Sequence, residues 1–276
     1  RSQLPGRGTL LMTQLLKFIA RIVPTVLLLA GCNHAPSPTP ADPRVIVEEA
    51  GDVVSQARSF RVIIERAGAP VYVDTADTTG AIEFLRAAGQ FVAPDRIQVT
   101  VKIRMAGLVS EGEFLALSAA QFLSHSVLTG GRWLRYDFVP GLDPAAILAA
   151  EGGLQHALSS MRGLELVGVE DVDGAQSYHL RGVGNGADIA ALTLGLIGGG
   201  DVEVDAWVST DELYVSRILV VEPNRPLPEG ETEPPVWTIE LYDYDEPAII
   251  EAPADFAEIS PTATPPGFIQ PSLPQP

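Results

Sequence analysis

Apolar and polar positions along the chain change period several times, and each change marks an element. Ile46, Ala50, Val53, Val54 and Ala57 recur at spacings of three and four, which predicts a helix over residues 45–57. Beyond Ser59 the period shortens to two, giving a strand at 60–66. A turn at Gly68-Ala69-Pro70 leads to a short strand at 71–74, and Thr78-Thr79-Gly80 marks another turn. Residues 81–88 fit strand or helix equally. The clearest strand follows Pro94-Asp95: Ile97, Val99, Val101, Ile103 and Met105 alternate with Gln98, Thr100, Lys102 and Arg104. One wholly apolar and one wholly polar face belong to an antiparallel sheet with one side in water.

Further strands are expected at 113–117 and 121–126, then at 132–138 after the Thr129-Gly130-Gly131 turn. Asp143-Pro144 opens a helix, because Asp can cap and Pro suits the first helical position. Ile147 and Leu148 form its apolar side. After Gly152-Gly153, a second amphipathic piece carries Leu154, Ala157, Leu158 and Met161. Strands at 164–169 and 176–183 are joined through Asp173-Gly174, a hairpin dipeptide. The almost wholly apolar stretch 187–197 reads as a third helix, closed by Gly198-Gly199-Gly200. Strands at 201–208, 213–222 and 236–242 complete the chain, the last two separated by a Pro-rich loop at 223–235. About ten antiparallel strands with helices at the front and in two insertions make an α+β fold, with helices packed on one face of a curved sheet.

The N-terminus has a different character. Residues 1–31 carry Arg1, Arg7, Lys17 and Arg21, no acidic residue, and a short apolar run from Ile22 to Ala30. That layout is a signal peptide, and the run is too short to span a bilayer, which takes roughly 20 residues. It ends in Leu29-Ala30-Gly31-Cys32, which resembles a lipobox. The resemblance implies cleavage before Cys32 and a thioether-linked diacylglycerol on its sulfur. The stretch from Met12 to Gly31 is a complete signal by itself. Cys32 is the only cysteine, so no disulfide can form within the chain. Expected domains are the signal at 1–31, a Pro-rich extended tether at 32–43, one folded body at 44–259, and a Pro-rich, uncharged, disordered tail at 260–276.

Net charge is −17, and removal of residues 1–31 leaves 14 Lys and Arg against 35 Asp and Glu, a net −21. Such a surface repels nucleic acid and anionic lipid headgroups, which argues against a nucleic-acid binder and against a body lying flat on an anionic bilayer. Candidate chemistry is sparse. Gly182-Val183-Gly184-Asn185-Gly186 sits between a strand and a helix but lacks the parallel βαβ setting of a dinucleotide loop. His34, His125, His156 and His179 are scattered, with no metal-ligand spacing. No G-x-S-x-G surrounds any serine. Asp171-Val172-Asp173-Gly174 lacks the later Glu of a calcium loop. No enzyme, cofactor or metal is expected.

Several strings, in order, resemble the LppX/LprAFG-type lipoproteins: Gly130-Gly131-Arg132-Trp133, Asp143-Pro144-Ala145-Ala146-Ile147-Leu148, Gly153-Leu154, Leu166-Val167-Gly168-Val169-Glu170, Val172-Asp173-Gly174 and Tyr178-His179-Leu180. The resemblance covers residues 44–256. It implies a half-barrel of antiparallel strands with helices on the concave face, similar to the LolA carriers. It further implies an apolar space that holds acyl chains of a lipid or glycolipid, without catalysis, on the extracytoplasmic face of a membrane anchored through Cys32. Periodicity nominates Ile147, Leu148, Leu154, Leu158, Ile189, Leu192 and Leu196 as helix-side lining, and Ile97, Val99, Val101 and Ile103 as sheet-side lining. The alternative for the same half-barrel is a sensor or interaction domain that docks another exported or membrane protein.

Overall fold

The computed structural model describes residues 42–73, 81–139 and 141–259. The signal, Cys32, residues 33–41, the turn at 78–80 and the tail at 260–276 lie outside these residues.

Asp42 accepts the backbone N–H of Arg44 at 2.9 Å and Pro43 takes the first helical position, so α1 (Pro43–Ser55) begins where capping places it. Its face of Ile46, Val47, Ala50, Gly51 and Val54 is buried. Strands β1 (Ser59–Ala67), β2 (Val71–Val73), β3 (Ile82–Val92), β4 (Arg96–Met105), β5 (Leu108–Leu117), β6 (Ala120–His125) and β7 (Leu134–Arg135) follow. The ambiguous stretch 81–88 is therefore strand. Its inward residues Ile82, Phe84 and Ala87 pair with Met105, Ile103 and Val101 of β4. A tight turn at Ala106-Gly107 connects β4 to β5, both residues at positive φ.

A 3-10 helix at Pro144–Leu148, capped by Asp143, and helix α2 (Leu154–Ser159) come next. α2 runs antiparallel to α1. Arg44 donates to the carbonyls of Ser159 and Met161, while Gln155 donates to Asp52 at the other end. Strands β8 (Arg162–Val172) and β9 (Ala175–Asn185) form the hairpin at Asp173-Gly174. After α3 (Gly186–Ile189) and a 3-10 turn at Ala190–Thr193, the sheet resumes with β10 (Asp201–Ser209), β11 (Val215–Val221), β12 (Val236–Tyr242) and β13 (Ala257–Glu258).

The stretch 187–197 is helical only as far as Thr193. Leu194 adopts the left-handed conformation at φ 54°, and Gly195 N–H reaches back to the Ala190 carbonyl at 2.8 Å. This is a Schellman-type stop. The Thr193 hydroxyl then accepts the Ile197 N–H that a continuing helix would give to the Thr193 carbonyl.

All strands join one sheet, in the order β13-β7-β6-β5-β4-β3-β1-β12-β11-β10-β9-β8, with β2 beside β3. Among the described residues only β13 and β7 pair in parallel. The main core lies on the face that bears α1 and α2, between Trp237, Ile239, Ile218, Val204 and Leu180 of the strands and Val47, Val54, Leu154 and Leu158 of the helices. The opposite face is polar over most of its area. There His179 bridges Glu170 (2.8 Å) and Asp205 (2.6 Å) and stacks on Trp207 with ring centroids 4.5 Å apart. An apolar patch on it, Leu115 and Phe122, is covered by the C-terminal strap through Ile250 and Phe256.

Candidate functional site

The helices do not cover the whole inner face. The ends of β3, β4, β5 and β6 next to the β4–β5 turn lie under irregular chain instead. Phe138 and Val139 come from one side, Leu194 and Leu196 from the other, and between these and the sheet lies an apolar cavity of about 100 Å³. Its sheet-side walls are Ile82 and Phe84, Val101 and Ile103, Gly112 and Phe114, and Leu123 and His125. Val73 and Leu128 close its edges. An outer cleft of about 440 Å³ adjoins it, lined by Tyr72, Leu142, Ala146, Ala190 and Arg225 among others. The two spaces share Val73, Val139, Leu194 and Leu196, so these four side chains form the partition between them.

Leu194 and Leu196 are held by a buried carboxylate. Glu222, at the end of β11, is 4 % exposed. It accepts the indole N–H of Trp237 at 2.7 Å, the backbone N–H of Gly198 at 2.9 Å, and two bonds from Arg225 Nη1 at 2.9 and 3.0 Å. The same Arg225 nitrogen donates to the Leu196 carbonyl at 2.9 Å. Every oxygen of this carboxylate is used, as burial of a charge demands. One rigid clasp therefore ties residues 196–198 to the sheet, while Leu194, Gly195 and Gly200 at positive φ flank it.

His125 is the one titratable group in the cavity wall. Its Nδ1 accepts the N–H groups of Val127 (3.1 Å) and Leu128 (3.0 Å), so the ring proton sits on Nε2 and is donated to Ser110 Oγ at 2.9 Å. A catalytic pair needs the reverse arrangement, with a free Nε2 accepting from the serine. Burial also pulls the His125 pKa below its ordinary value, which keeps the ring neutral. Gly112 makes room for this ring, since a Cβ there would stand 2.8 Å from His125 Cδ2. Among the described residues no group of three or more His, Cys, Asp and Glu is arranged to hold a metal ion.

Of the residues nominated by periodicity, Val101, Ile103 and Leu196 line the cavity. Ile97 and Val99 share that face of β4 but lie deeper, in closed core, as do Ile147, Leu154, Leu158, Ile189 and Leu192. Leu148 is half-buried against the same core. Ten further lining residues that are apolar or glycine were not nominated: Val73, Ile82, Phe84, Gly112, Phe114, Leu123, Leu128, Phe138, Val139 and Leu194. The alternation of Ile82 and Phe84, placed beside Ile103, was the available signal. Phe138, Val139 and Leu194 sit in irregular chain and carry no periodic signal.

The profile of the LppX_LprAFG lipoprotein family matches residues 42–250. The chain belongs to this family. A search of curated proteins finds no match. Among solved structures, LprF from Mycobacterium bovis is similar at TM-score 0.58 and 17 % identity, covering 79 % of this chain and 100 % of that one. LppX from Mycobacterium tuberculosis is similar at TM-score 0.52 and 13 % identity, covering 76 % and 98 %. The fold is therefore the open, curved antiparallel sheet of LppX-like lipoproteins, with few helices, all on one face.

Proposed function

We propose that the protein is an extracytoplasmic lipoprotein, anchored through Cys32, that holds an acyl chain of a lipid or glycolipid in the space between β3–β6 and the segments 138–139 and 194–196, without chemical change to the lipid. The observation that carries this reading is the pairing of a cavity walled by apolar side chains but for His125 with an adjoining cleft, separated by four side chains of which two sit on a glycine-flanked segment. At about 100 Å³ the cavity is smaller than the roughly 300 Å³ at which ligand pockets begin. Displacing Leu194 and Leu196 would merge it with the 440 Å³ cleft and bring it into that range.

The driving force is burial alone. Each methylene removed from water contributes about 0.8 kcal/mol. A fully enclosed sixteen-carbon chain thus gains on the order of 10 kcal/mol before association costs. Val101, Ile103 and Leu196 act in this reading as direct lining. Ile97, Val99, Ile147, Leu148, Leu154, Leu158, Ile189 and Leu192 act as the support that keeps the sheet curved around it.

The test is native mass spectrometry of the mature protein, with organic extraction of what remains bound. Stoichiometric acyl lipid, beyond the anchor itself, is the expected result. A protein that retains none and takes up no added fluorescent fatty acid would sink the reading and favour the interaction-domain alternative.

A further inference from the structure

The end of the sheet that bears the cavity also bears an exposed apolar rim. Along one row of register, Val73 pairs with Ile82, Ile82 with Met105, and Met105 with Leu108. Val73 and Ile82 line the cavity, Met105 is half-buried, and Leu108 is 73 % exposed. The next residue, Val109, is 48 % exposed. Val127 leaves β6 at the same level, since His125 reaches Ser110 across the β5–β6 pair, and it is 53 % exposed while its neighbour Leu128 lines the cavity. Among the described residues, this row carries only apolar side chains from the cavity wall out to Leu108.

The charge pattern is compatible with contact by these strands. Residues 96–110 and 114–136 contain no Asp or Glu, although the chain carries 35 of them. Arg96, Lys102, Arg104, Arg132 and Arg135 fall inside these two stretches. Among the described residues beside the β4–β5 turn, Glu83 is held by Arg66 and Arg104, and Glu111 is paired with Lys102. On a chain of net charge −17 these pairings leave the described residues of this tip without excess acidity, so they repel a headgroup layer little.

We infer that Leu108, Val109 and Val127 dock into a phospholipid bilayer surface, so that the cavity opens toward the leaflet from which it exchanges acyl chains. The inference rests on the proposed function for its purpose but on the rim for its geometry. Amphipathic tips of this kind bury apolar side chains at the headgroup–acyl boundary, and the short β4–β5 turn presents them on a rigid support. Insertion here needs no movement of the clasp at Glu222, which lies on the other side of the cavity cover.

The experiment uses the full mature lipoprotein carrying Leu108→Cys, labelled with an environment-sensitive fluorophore, in phosphatidylcholine–phosphatidylglycerol vesicles with nitroxide-bearing acyl chains. Asp211→Cys, in the β10–β11 turn at the opposite end of the strands, is the comparison site. Unsubstituted protein, whose only cysteine is Cys32, gives the labelling blank. Quenching at position 108 at least twice that at 211 is expected; equal quenching overturns the inference. Uptake of a fluorescent fatty acid is measured in the same sample. Uptake without quenching at 108 overturns docking and leaves the carrier reading standing; quenching without uptake supports docking and counts against the carrier. Quenching that appears only after membrane proteins are added overturns bilayer docking in favour of a protein partner. The double variant Leu108→Asp, Val109→Asp is expected to slow transfer of the fatty acid between vesicles about tenfold with its equilibrium uptake unchanged, and unchanged transfer overturns the inference.

Discussion

Beneath α1 and α2 the sheet presents small residues, and the helices come down onto them. Gly182 lies close to Met161, Gly184 to Ile189, and Ala206 is wholly buried among its neighbours. Leu158, Met161, Leu180 and Trp237 are each 2 % exposed or less, and this half of the inner face is filled. A few strands away, over β3–β6, neither α1 nor α2 lies on the sheet, and the 3-10 turn at Pro144–Leu148 touches β4. The cover is two stretches of irregular chain, one of them hung from Glu222, and the apolar walls beneath fail to meet. The same sheet with the same inward alternation therefore supports a close-packed core in one half and a cavity in the other. What differs is the cover: helices of regular side-chain spacing interdigitate with strands, and irregular segments tied by a few polar bonds do not.

The sharpest way to break this contrast is truncation on each side. Leu180→Ala removes a wholly buried side chain of the filled half and should cost roughly 2–5 kcal/mol in chemical denaturation. Leu123→Ala, in the wall of the cavity, should cost no more than about 1.5 kcal/mol, because part of its surface already faces empty space. Equal costs would mean that the halves are packed alike.

Next in size is the clasp. Glu222→Ala leaves the Trp237 indole and the Arg225 guanidinium without their acceptor and should cost about 3 kcal/mol. Its diagnostic sign is local: amide exchange at Gly198 should rise at least tenfold while that of β9 follows only the global loss. A uniform rise across the molecule would show that the clasp does not hold residues 196–198 in particular.

Filling the cavity is expected to move stability less and function more. Leu123→Trp or Leu196→Trp should change stability by under about 1.5 kcal/mol, since the added volume enters a void, yet abolish uptake of a fluorescent fatty acid. Leu158→Trp, in the filled half, should be the more destabilising change.

The smallest effect concerns pH. His125 has its pKa lowered by burial, so the unfolded chain binds a proton that the folded one refuses. Stability from this group is complete above the ordinary histidine pKa of about 6.5 and is lost as pH falls below it. Urea midpoints at pH 7.5 and 5.5 should differ in that direction, and His125→Gln should flatten the difference. A variant with the same slope would place the pH dependence elsewhere.

Much of this was legible in the sequence. Strict alternation from Ile97 to Met105 identified β4 and its inward face, and Asp143-Pro144 marks a helix start that the structure caps in that way, whereas Asp42-Pro43, read as part of the tether, proves to be the cap and first turn of α1. The third helix was overread, because apolar composition at 187–197 could not reveal that Thr193 and Leu194 would end it. The cavity was legible only in part. Val101, Ile103 and Leu196 reach it, but Ile97 and Leu158 do not, although their local patterns are indistinguishable from those that do. Whether an inward residue meets core or empty space depends on what lies across from it, and that is a long-range fact. The strap that covers Leu115 and Phe122 was invisible for the same reason, since Ile250 and Phe256 sit in a stretch with no period.

The contrast between the halves is tested most directly by photo-crosslinking. A fatty acid with a diazirine near its methyl end, bound to the mature protein and irradiated, should label residues of the open half, chiefly on β4, β6 and the 194–196 segment, in a one-to-one adduct. Adducts concentrated around Leu158 and Leu192 would contradict that placement, and adducts scattered over the exposed surface would contradict binding in a cavity altogether.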